Sequence, residues 1–230
     1  MRVWGYAGWV PTTRSYGDAC GIARALDVVG ERWALLVVRE LLLGPQRFSD
    51  LRRALPNAAS NVMADRLREL EGRGVISRHT LPPPAASSVY ELTAWGRDLE
   101  PIVLALGNWG IRVPLPPTPT MLSATSVLLF LRTCARVDTE AVPMVCRVEL
   151  DNRVFAVRIE DGQLHVQAGE PTMPDVSLRT DPGTLNALLD EPSKLDAAVS
   201  EGSAAVTGDL SALRWLLGTV VARAPAAPRM

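Results

Sequence analysis

Arginine, asparagine and serine side chains recur at helical spacing between residues 47 and 79, and these groups suit contact with a nucleic acid. Guanidinium groups bond phosphate oxygens in a fork, while Asn and Arg pair with the edges of adenine and guanine. If residues 60–73 form a helix, Met63, Leu67 and Leu70 make one apolar stripe and leave the opposite face polar. The candidate DNA contacts are Arg47, Arg52, Arg53, Ser60, Asn61, Ala64, Asp65, Arg66, Arg68, Arg78 and His79.

Different roles are expected within this set. Asn61 and Arg68 are the candidates for contacts to base edges, because they lie on the open face of the predicted helix. The residues that we expect to contact phosphates or to position the helix are Arg47, Arg52 and Arg53. Arg66 has an equally good structural alternative, in which it packs or forms an ion pair beside Glu69 or Glu40.

The pattern around these residues predicts two helices joined by a turn, with a two-stranded ribbon behind them. Helices are predicted over residues 18–29, 33–43, 49–54 and 60–73, the first capped by Asp18 and the third by Ser49. Gly74 ends the last of these helices, and two strands are predicted to start near residues 75 and 89. Prolines 82–84 cannot donate to a sheet and are predicted at the ribbon tip. This order is typical of a winged helix-turn-helix.

Thr93 is predicted to cap a long helix whose apolar face exceeds what a small core can cover. Its apolar side chains are Leu99, Ile102, Val103, Leu106 and Trp109. A surplus apolar face indicates a partner helix, and two-fold dimers are the commonest closed oligomers. We therefore expect a homodimer that reads two half-sites about 34 Å apart on a palindromic operator in double-stranded DNA.

Several short segments carry a family resemblance. They are ALDVVGERW at 25–33, RFSDLRR at 47–53, RLRELE at 66–71, YELT at 90–93 followed by Gly96 and Arg97, and NWG at 108–110. These segments resemble the HxlR-type transcriptional regulators, which are relatives of the MarR type. The resemblance implies a dimeric winged-helix DNA-binding protein, with the helix after Ala59 in the major groove and the ribbon beside the minor groove.

The sequence departs from the family pattern at two places. A serine usually caps the recognition helix where this chain has Ala59, so Ser60 is expected to replace that cap. The ribbon tip has prolines where the family often has a basic residue, so Arg78 and His79 at the ribbon base are the expected phosphate contacts.

Cys20 lies just before the first helix, where the family often has a cysteine that in some members senses oxidants. A helix start favours the thiolate and nearby Asp18 opposes it, so an inert, buried cysteine is the alternative. The three cysteines and two histidines form no zinc pattern. The sequence also has no phosphate-binding loop, nucleophile elbow or Ser/His/Asp cluster, so we expect no enzyme activity, no metal and no cofactor.

A proline-rich segment at 113–120 predicts a linker between a DNA-binding and dimerisation domain, 1–112, and a second domain, 121–230. Residues 1–112 carry 14 basic and 11 acidic residues, and the remainder carries 10 and 14. The excess of basic residues in the first half suits a polyanionic partner.

Alternating apolar residues after 145 predict strands at 148–150, 155–160, 164–167 and 176–180, with a hairpin turn at 161–162. Helices are predicted over 122–136, 182–189, 195–200 and 210–221. The second domain is therefore predicted to be an antiparallel sheet covered by helices, which makes the whole chain α+β.

Segments 151–169, 181–189 and 206–209 resemble the central hairpin, the middle helix and the last strand-to-helix turn of the sterol-carrier-protein domain. The resemblance implies an apolar cavity that holds a hydrophobic small molecule or is filled by the chain's own side chains. Candidate ligand contacts, each of which has a plain core role as its alternative, are Leu128, Leu131, Phe155, Val157, Leu164, Leu185, Leu188, Trp215 and Leu216.

With 47% hydrophobic and 21% charged residues, the composition is that of a globular protein, and no leader or membrane-spanning run is evident. We interpret the chain as a cytoplasmic, homodimeric transcriptional repressor with a second domain that binds a hydrophobic small molecule. Two alternatives stay open. One is a hydrophobic-ligand carrier whose winged helix contacts proteins, and the other is a redox-sensing regulator that acts through Cys20.

Overall fold

The computed structural model describes residues 15–82, 87–114 and 121–220 of the chain. Contacts between Cα atoms divide the chain into two units, Met1–Val103 and Leu104–Met230, and each is described by itself. The division falls ahead of the proline-rich segment in which the sequence predicts a linker. Residues 115–120 of that linker and residues 83–86 of the predicted ribbon tip lie outside the described part of the chain.

Helices and a small sheet make up residues 21–110. The helices are α1 (Gly21–Val29), α2 (Ala34–Leu41), α3 (Phe48–Ala54), α4 (Ser60–Gly72), α5 (Ala94–Arg97) and α6 (Glu100–Gly110). The strands are β1 (Gln46–Arg47), β2 (Ile76–Thr80) and β3 (Ser88–Leu92), paired in the order β1-β3-β2 with both pairs antiparallel. The two-residue strand β1 is not predicted by the sequence, because it is too short to show alternation.

One hydrophobic core joins helices α1 to α4 with the small sheet. Met63, Leu67 and Leu70 of α4 are at most 1% exposed, so the apolar stripe that the sequence predicts is the buried face of this helix. Val37 and Val38 of α2 are completely buried against the same core. Burying a large aliphatic side chain contributes about 1.5–3 kcal/mol, so this stripe fixes the rotation of α4 about its axis.

Three predicted helix caps are wrong. α1 begins after Cys20, and Asp18 Oδ1 instead accepts the backbone N–H of Cys20 at 2.8 Å. α3 begins at Phe48, one residue before Ser49, and the carboxylate of Asp50 accepts the backbone N–H of Arg47. Ala59 is the N-cap of α4 and makes no side-chain cap bond, and Ser60 is already inside the helix.

The predicted long helix after Thr93 is two helices. Thr93 caps α5, as predicted, because its Oγ1 accepts the N–H of Gly96 at 3.0 Å. Residues 98 and 99 then interrupt the helix before α6 begins at Glu100. Pro101 supplies the physical reason, since it has no N–H to donate to the carbonyl of Arg97 and its ring crowds that carbonyl.

The second unit contains a five-stranded sheet and the helices that pack on it. Its strands are β4 (Met144–Leu150), β5 (Arg153–Glu160), β6 (Gln163–Ala168), β7 (Val176–Thr180) and β8 (Ala204–Gly208). Its helices are α7 (Ala124–Cys134), α8 (Pro182–Asp190), α9 (Leu195–Ser200) and α10 (Leu210–Gly218), with a 3-10 turn at Pro192–Lys194. The fold class is α+β, as predicted.

The sheet is mixed rather than antiparallel, which corrects the prediction. Its strand order is β6-β5-β4-β7-β8, and β7 runs parallel to β4. The segment between β6 and β7 must therefore cross to the other side of β4. Glu170 in this segment forms an ion pair with Arg147 of β4, at 2.5 Å between Oε1 and Nε, which ties the crossing segment to the sheet.

Replacing Gly96 tests how closely α5 packs against Val75, the residue just before β2. A Cβ atom at Gly96 would lie 2.0 Å from the carbonyl oxygen of Val75. Because backbone would have to move, we expect Gly96→Ala to lower the free energy of unfolding by about 1–3 kcal/mol. Gly72→Ala is the matched control, since a Cβ there meets nothing within 4 Å and should stabilise α4 by up to about 1 kcal/mol. Urea unfolding measures both, and equal effects would contradict the close packing.

Candidate nucleic-acid interface

The open side of α4 carries the residues that the sequence selects for base contacts. Ser60, Asn61, Asp65 and Arg68 are exposed, and Ala64 is half-buried between them. The buried stripe of α4 lies on the other side of the helix. An exposed α-helix about 10–12 Å across fits the major groove of B-DNA, which is about 12 Å wide.

Arg68 and Asp65 form an ion pair on this open face, one helical turn apart. Their side chains are 74% and 52% exposed, so the pair is solvated and contributes little to stability. The guanidinium of Arg68 can therefore exchange Asp65 for another acceptor at low cost. Asp65 meanwhile places one negative charge on a face that would meet a polyanion.

The turn between α3 and α4 is held by Arg52. Its Nη1 donates a hydrogen bond to the carbonyl oxygen of Ala58, and Ala58 is completely buried. This bond satisfies a carbonyl that would otherwise be buried without a partner, which gives Arg52 a positioning role. Arg53, the next residue, is 61% exposed and forms a solvated ion pair with Asp50 at 3.3 Å.

Arg66 is one predicted DNA contact that the structure places in ion pairs within the domain. Its side chain is only 11% exposed, and it forms ion pairs with Glu69 and, at 3.7 Å, with Glu31. A guanidinium held this way does not face a duplex, so the structural alternative is the better description. The partner Glu31 is missed by the sequence because it lies far from Arg66 along the chain, while Glu40 pairs with Arg39 instead.

The ribbon base presents Arg78 and His79, both exposed. Arg78 lies over the ring of Tyr90, with 5.7 Å from Cζ to the ring centroid, and its Nε donates to Ser88 Oγ at 2.6 Å. His79 Nδ1 is 3.6 Å from Glu91 Oε1. Sequence reasoning misses Ser88 and Tyr90, although their place on the partner strand follows once the register of the ribbon is known. Arg47 is exposed at the end of β1.

Cys20 is an exposed free thiol at the N-cap of α1, which excludes the buried alternative. The backbone N–H of Ile22, and next that of Ala23, favour the thiolate and lower the pKa of Cys20. Cys146 is the opposite case, because burial and then the charge of Asp175 raise its pKa to about 12. Among the described residues, no three His, Cys, Asp or Glu side chains come together to hold a metal ion.

The candidate ligand contacts of the second unit are mostly core residues. Those exposed by no more than 2% are Leu128, Leu131, Phe155, Val157, Leu185, Leu188 and Leu216, and Leu164 is 9% exposed. Trp215 differs from the rest of the predicted set, because it is 42% exposed and is not a core residue. None of the helices in the described ranges is long and apolar enough to cross a membrane.

Comparison with known proteins finds similar proteins for the first half of the chain. The HxlR-like helix-turn-helix family matches residues 28–114. The uncharacterized HTH-type transcriptional regulator YvaP of Bacillus subtilis is 41% identical over 86 residues, which are 37% of this chain and 80% of that protein. The regulator sll1512 of Synechocystis is 36% identical over 94 residues, which are 41% of this chain and 70% of that protein. A solved structure of the redox regulator HypR in its oxidized form shares 33% identity over 42% of this chain and 100% of that one, with a TM-score of 0.40.

Matched substitutions of Arg52 and Arg53 test whether Arg52 holds the turn before α4 while Arg53 is only a surface residue. Arg52→Met keeps the aliphatic stem but leaves the Ala58 carbonyl without its donor, so we expect a loss of about 1–3 kcal/mol in the free energy of unfolding. Arg53→Met removes the same charge from an exposed site and should change stability by no more than about 0.5 kcal/mol. Urea titrations of both variants check this, and equal losses would show that Arg52 does not brace the turn.

Proposed function

Because the chain belongs to the HxlR-like helix-turn-helix family of transcriptional regulators, we propose that it binds operator DNA through α4 and acts as a homodimeric repressor. The observation that carries the proposal is the open polar face of α4, opposite three side chains that are anchored in the core. A repressor of this kind acts by occupying its operator. The DNA-binding and dimerisation region corresponds to residues 1–112.

The proposed contacts are divided by chemistry. Asn61 pairs with adenine and Arg68 with guanine, after Arg68 leaves Asp65, and Ser60 hydrogen-bonds to a base edge or phosphate. Ala64 offers an apolar contact to a thymine methyl. The phosphate contacts are Arg47, Arg53, Arg78 and His79. Arg52 positions α4, and Arg66 is left out because it is buried in ion pairs.

The face of α6 supports a dimer. Ile102, Leu106 and Trp109 follow one another at helical spacing and are 56%, 47% and 62% exposed. Large apolar side chains in a contiguous row are a common mark of a protein interface, and a second copy can cover the same row by two-fold symmetry. Two α4 helices related in this way would read half-sites about 34 Å apart.

The proposed role of the second domain, residues 121–230 after a linker at 113–120, is to hold a hydrophobic small molecule. Its five-stranded sheet with packed helices supports a likeness to the sterol-carrier-protein domain. Because Leu128, Phe155 and Leu185 are almost completely buried, a ligand can enter this core only if these side chains move apart. Such a ligand changes operator occupancy only if it binds the DNA-competent and DNA-incompetent states with different affinity.

Base and phosphate contacts give different results in a binding assay on a duplex selected from random sequence. We expect Arg68→Ala to lose about 1–3 kcal/mol of discrimination between the selected duplex and one changed at a single base pair. Arg53→Ala should weaken both duplexes alike and reduce the slope of log K against log salt by about 1.

The same assay addresses the carrier alternative, in which the winged helix contacts proteins only. Binding to duplex DNA that falls steeply with salt supports the regulator, whereas no binding at low salt would support the carrier. A selected site with two-fold symmetry supports the dimer. Equal behaviour of the Arg68 and Arg53 variants would show that the base-reading face is assigned wrongly.

A second candidate function, thiol-based sensing, is favoured by the exposure of Cys20 and its lowered pKa. The thiolate is the reactive form, so a lowered pKa increases the reactive fraction near neutral pH. We expect iodoacetamide to alkylate Cys20 with a pH midpoint below that of free cysteine, whereas buried Cys146 stays unmodified in the folded protein. Mass spectrometry of the alkylated protein measures both sites.

Treating the protein with peroxide before a DNA-binding assay tests whether Cys20 is a sensor. If Cys20 is the sensor, peroxide should weaken DNA binding by the unaltered protein and leave Cys20→Ser unaffected. Equal loss of DNA binding in both proteins would show that Cys20 is not the sensor.

A further inference from the structure

Asp65 lies at the centre of the open face of α4, and none of the contacts proposed above gives it a role. Its side chain is exposed, and its carboxylate forms an ion pair with Arg68 one helical turn later. Asn61 lies one turn earlier on the same face. The carboxylate is therefore placed between the two residues that are proposed to contact bases, where any duplex bound by α4 must meet it.

The proposed contact between Arg68 and guanine takes from Asp65 the donor that it has in the free protein. An ionised carboxylate accepts hydrogen bonds and donates none. In a groove that has lost most of its water, a carboxylate without a donor is costly, and the phosphate oxygens around it cannot donate. The stability of the complex therefore depends on a donor from the edge of a base.

Two bases offer a donor in the major groove, cytosine through its N4 amino group and adenine through its N6 amino group. Adenine also presents the acceptor N7 beside its amino group, which repels a carboxylate, whereas cytosine presents its amino group alone. Guanine and thymine present only acceptors for hydrogen bonds. Cytosine is therefore the base that best satisfies Asp65.

The spacing along α4 fixes where this cytosine lies. Asp65 and Arg68 are three residues apart, which is about 4.5 Å along the axis of an α-helix. Stacked base pairs are about 3.4 Å apart, so the two side chains reach adjacent base pairs. We propose that Asp65 is a specificity-determining residue, which accepts a hydrogen bond from N4 of a cytosine in the base pair next to the guanine of Arg68. This role rests on the proposed function, because it requires α4 to lie in the major groove.

The same pair of residues weakens binding to other sequences. On a duplex that lacks the adjacent guanine and cytosine, Arg68 and Asp65 stay paired, since the bases do not replace the interactions of the ion pair. The charge of Asp65 then repels the phosphates on both sides of the groove. Specificity is a difference between affinities, so a repulsive group that only the correct operator satisfies increases it.

Duplexes selected from random sequence by the full chain test this role, with affinities measured after each base pair is changed in turn. For the unaltered protein, replacing the cytosine by thymine should weaken binding at least about fivefold. Asp65→Ala should reduce that difference to less than about twofold and keep the preference for guanine in the next base pair. It should also bind random-sequence duplex about twofold to fivefold more tightly, because Arg68 is free to reach a phosphate. Retained discrimination for cytosine in Asp65→Ala would overturn the proposal.

Asp65→Asn separates a contact to the base from a role in orienting Arg68. An asparagine pairs with adenine through N6 and N7, so the preference at the same base pair should move from cytosine to adenine. If Asp65 only orients Arg68, both Asp65 variants should lose discrimination at the guanine and nowhere else. That result would overturn the contact with cytosine.

Glu71→Ala is the matched control, because Glu71 is an exposed acid on the same helix, about 120° around its axis from Asp65. It removes the same charge and should keep every base preference of the unaltered protein. Relaxed preference for cytosine in this control would show that charge alone is responsible and would overturn the proposal. Asp65 and Glu71 are both exposed, so all three variants should melt like the unaltered protein.

Arg68→Ala separates the failure of this role from that of the proposed function. Loss of the guanine preference in Arg68→Ala, with the cytosine preference unchanged in Asp65→Ala, would overturn the role of Asp65 alone. If neither variant changes any base preference, α4 does not read DNA, and the proposed function fails together with this role.

Discussion

The anchoring of α4 by Met63, Leu67 and Leu70 is the constraint on which the proposed DNA-binding surface depends. Each of these side chains is at most 1% exposed, and each contributes about 1.5–3 kcal/mol by its burial. The solvated pair between Arg68 and Asp65 contributes no more than about 1 kcal/mol. The core therefore sets which way α4 faces, and the charged face stays free to change partners.

The turn before α4 also helps to fix the position of this helix, through a hydrogen bond rather than through apolar packing. Arg52 donates a hydrogen bond from Nη1 to the carbonyl oxygen of buried Ala58, while the neighbouring Arg53 is exposed. Two adjacent arginines thus have separate roles, one inside the fold and one on its surface. Arg66 shows the same division within α4 itself, since Glu31 and Glu69 hold it against the domain.

The helices of the first unit could be predicted from the sequence because their apolar residues recur every three or four positions over two or more turns. Thr93 was correctly predicted as a cap, but the other three caps could not be predicted, because Asp18, Ser49 and Ser60 each have a suitable side chain in a nearly suitable place and backbone geometry decides between neighbours. Pro101 is the signal in the sequence for the break between α5 and α6. The apolar spacing continues across this break, and so the spacing alone predicts one long helix.

In the second unit, alternation reveals which residues of a strand share a face but not which strands are neighbours. The parallel pairing of β4 with β7 depends on a crossing segment tied down by Arg147 and Glu170, two residues far apart in sequence. The exposure of Trp215 likewise depends on packing between distant segments. Such pairings leave no periodic signal in a single sequence.

The most direct test of the account is an amide NMR titration of the isotope-labelled protein with a selected duplex. The account predicts that the largest shifts occur at Ser60, Asn61, Asp65 and Arg68, with smaller ones at Arg53 and Arg78. Residues 121–220 should change little. Shifts concentrated in that second unit, with α4 unaffected, would contradict the assignment of α4 as the DNA-reading helix.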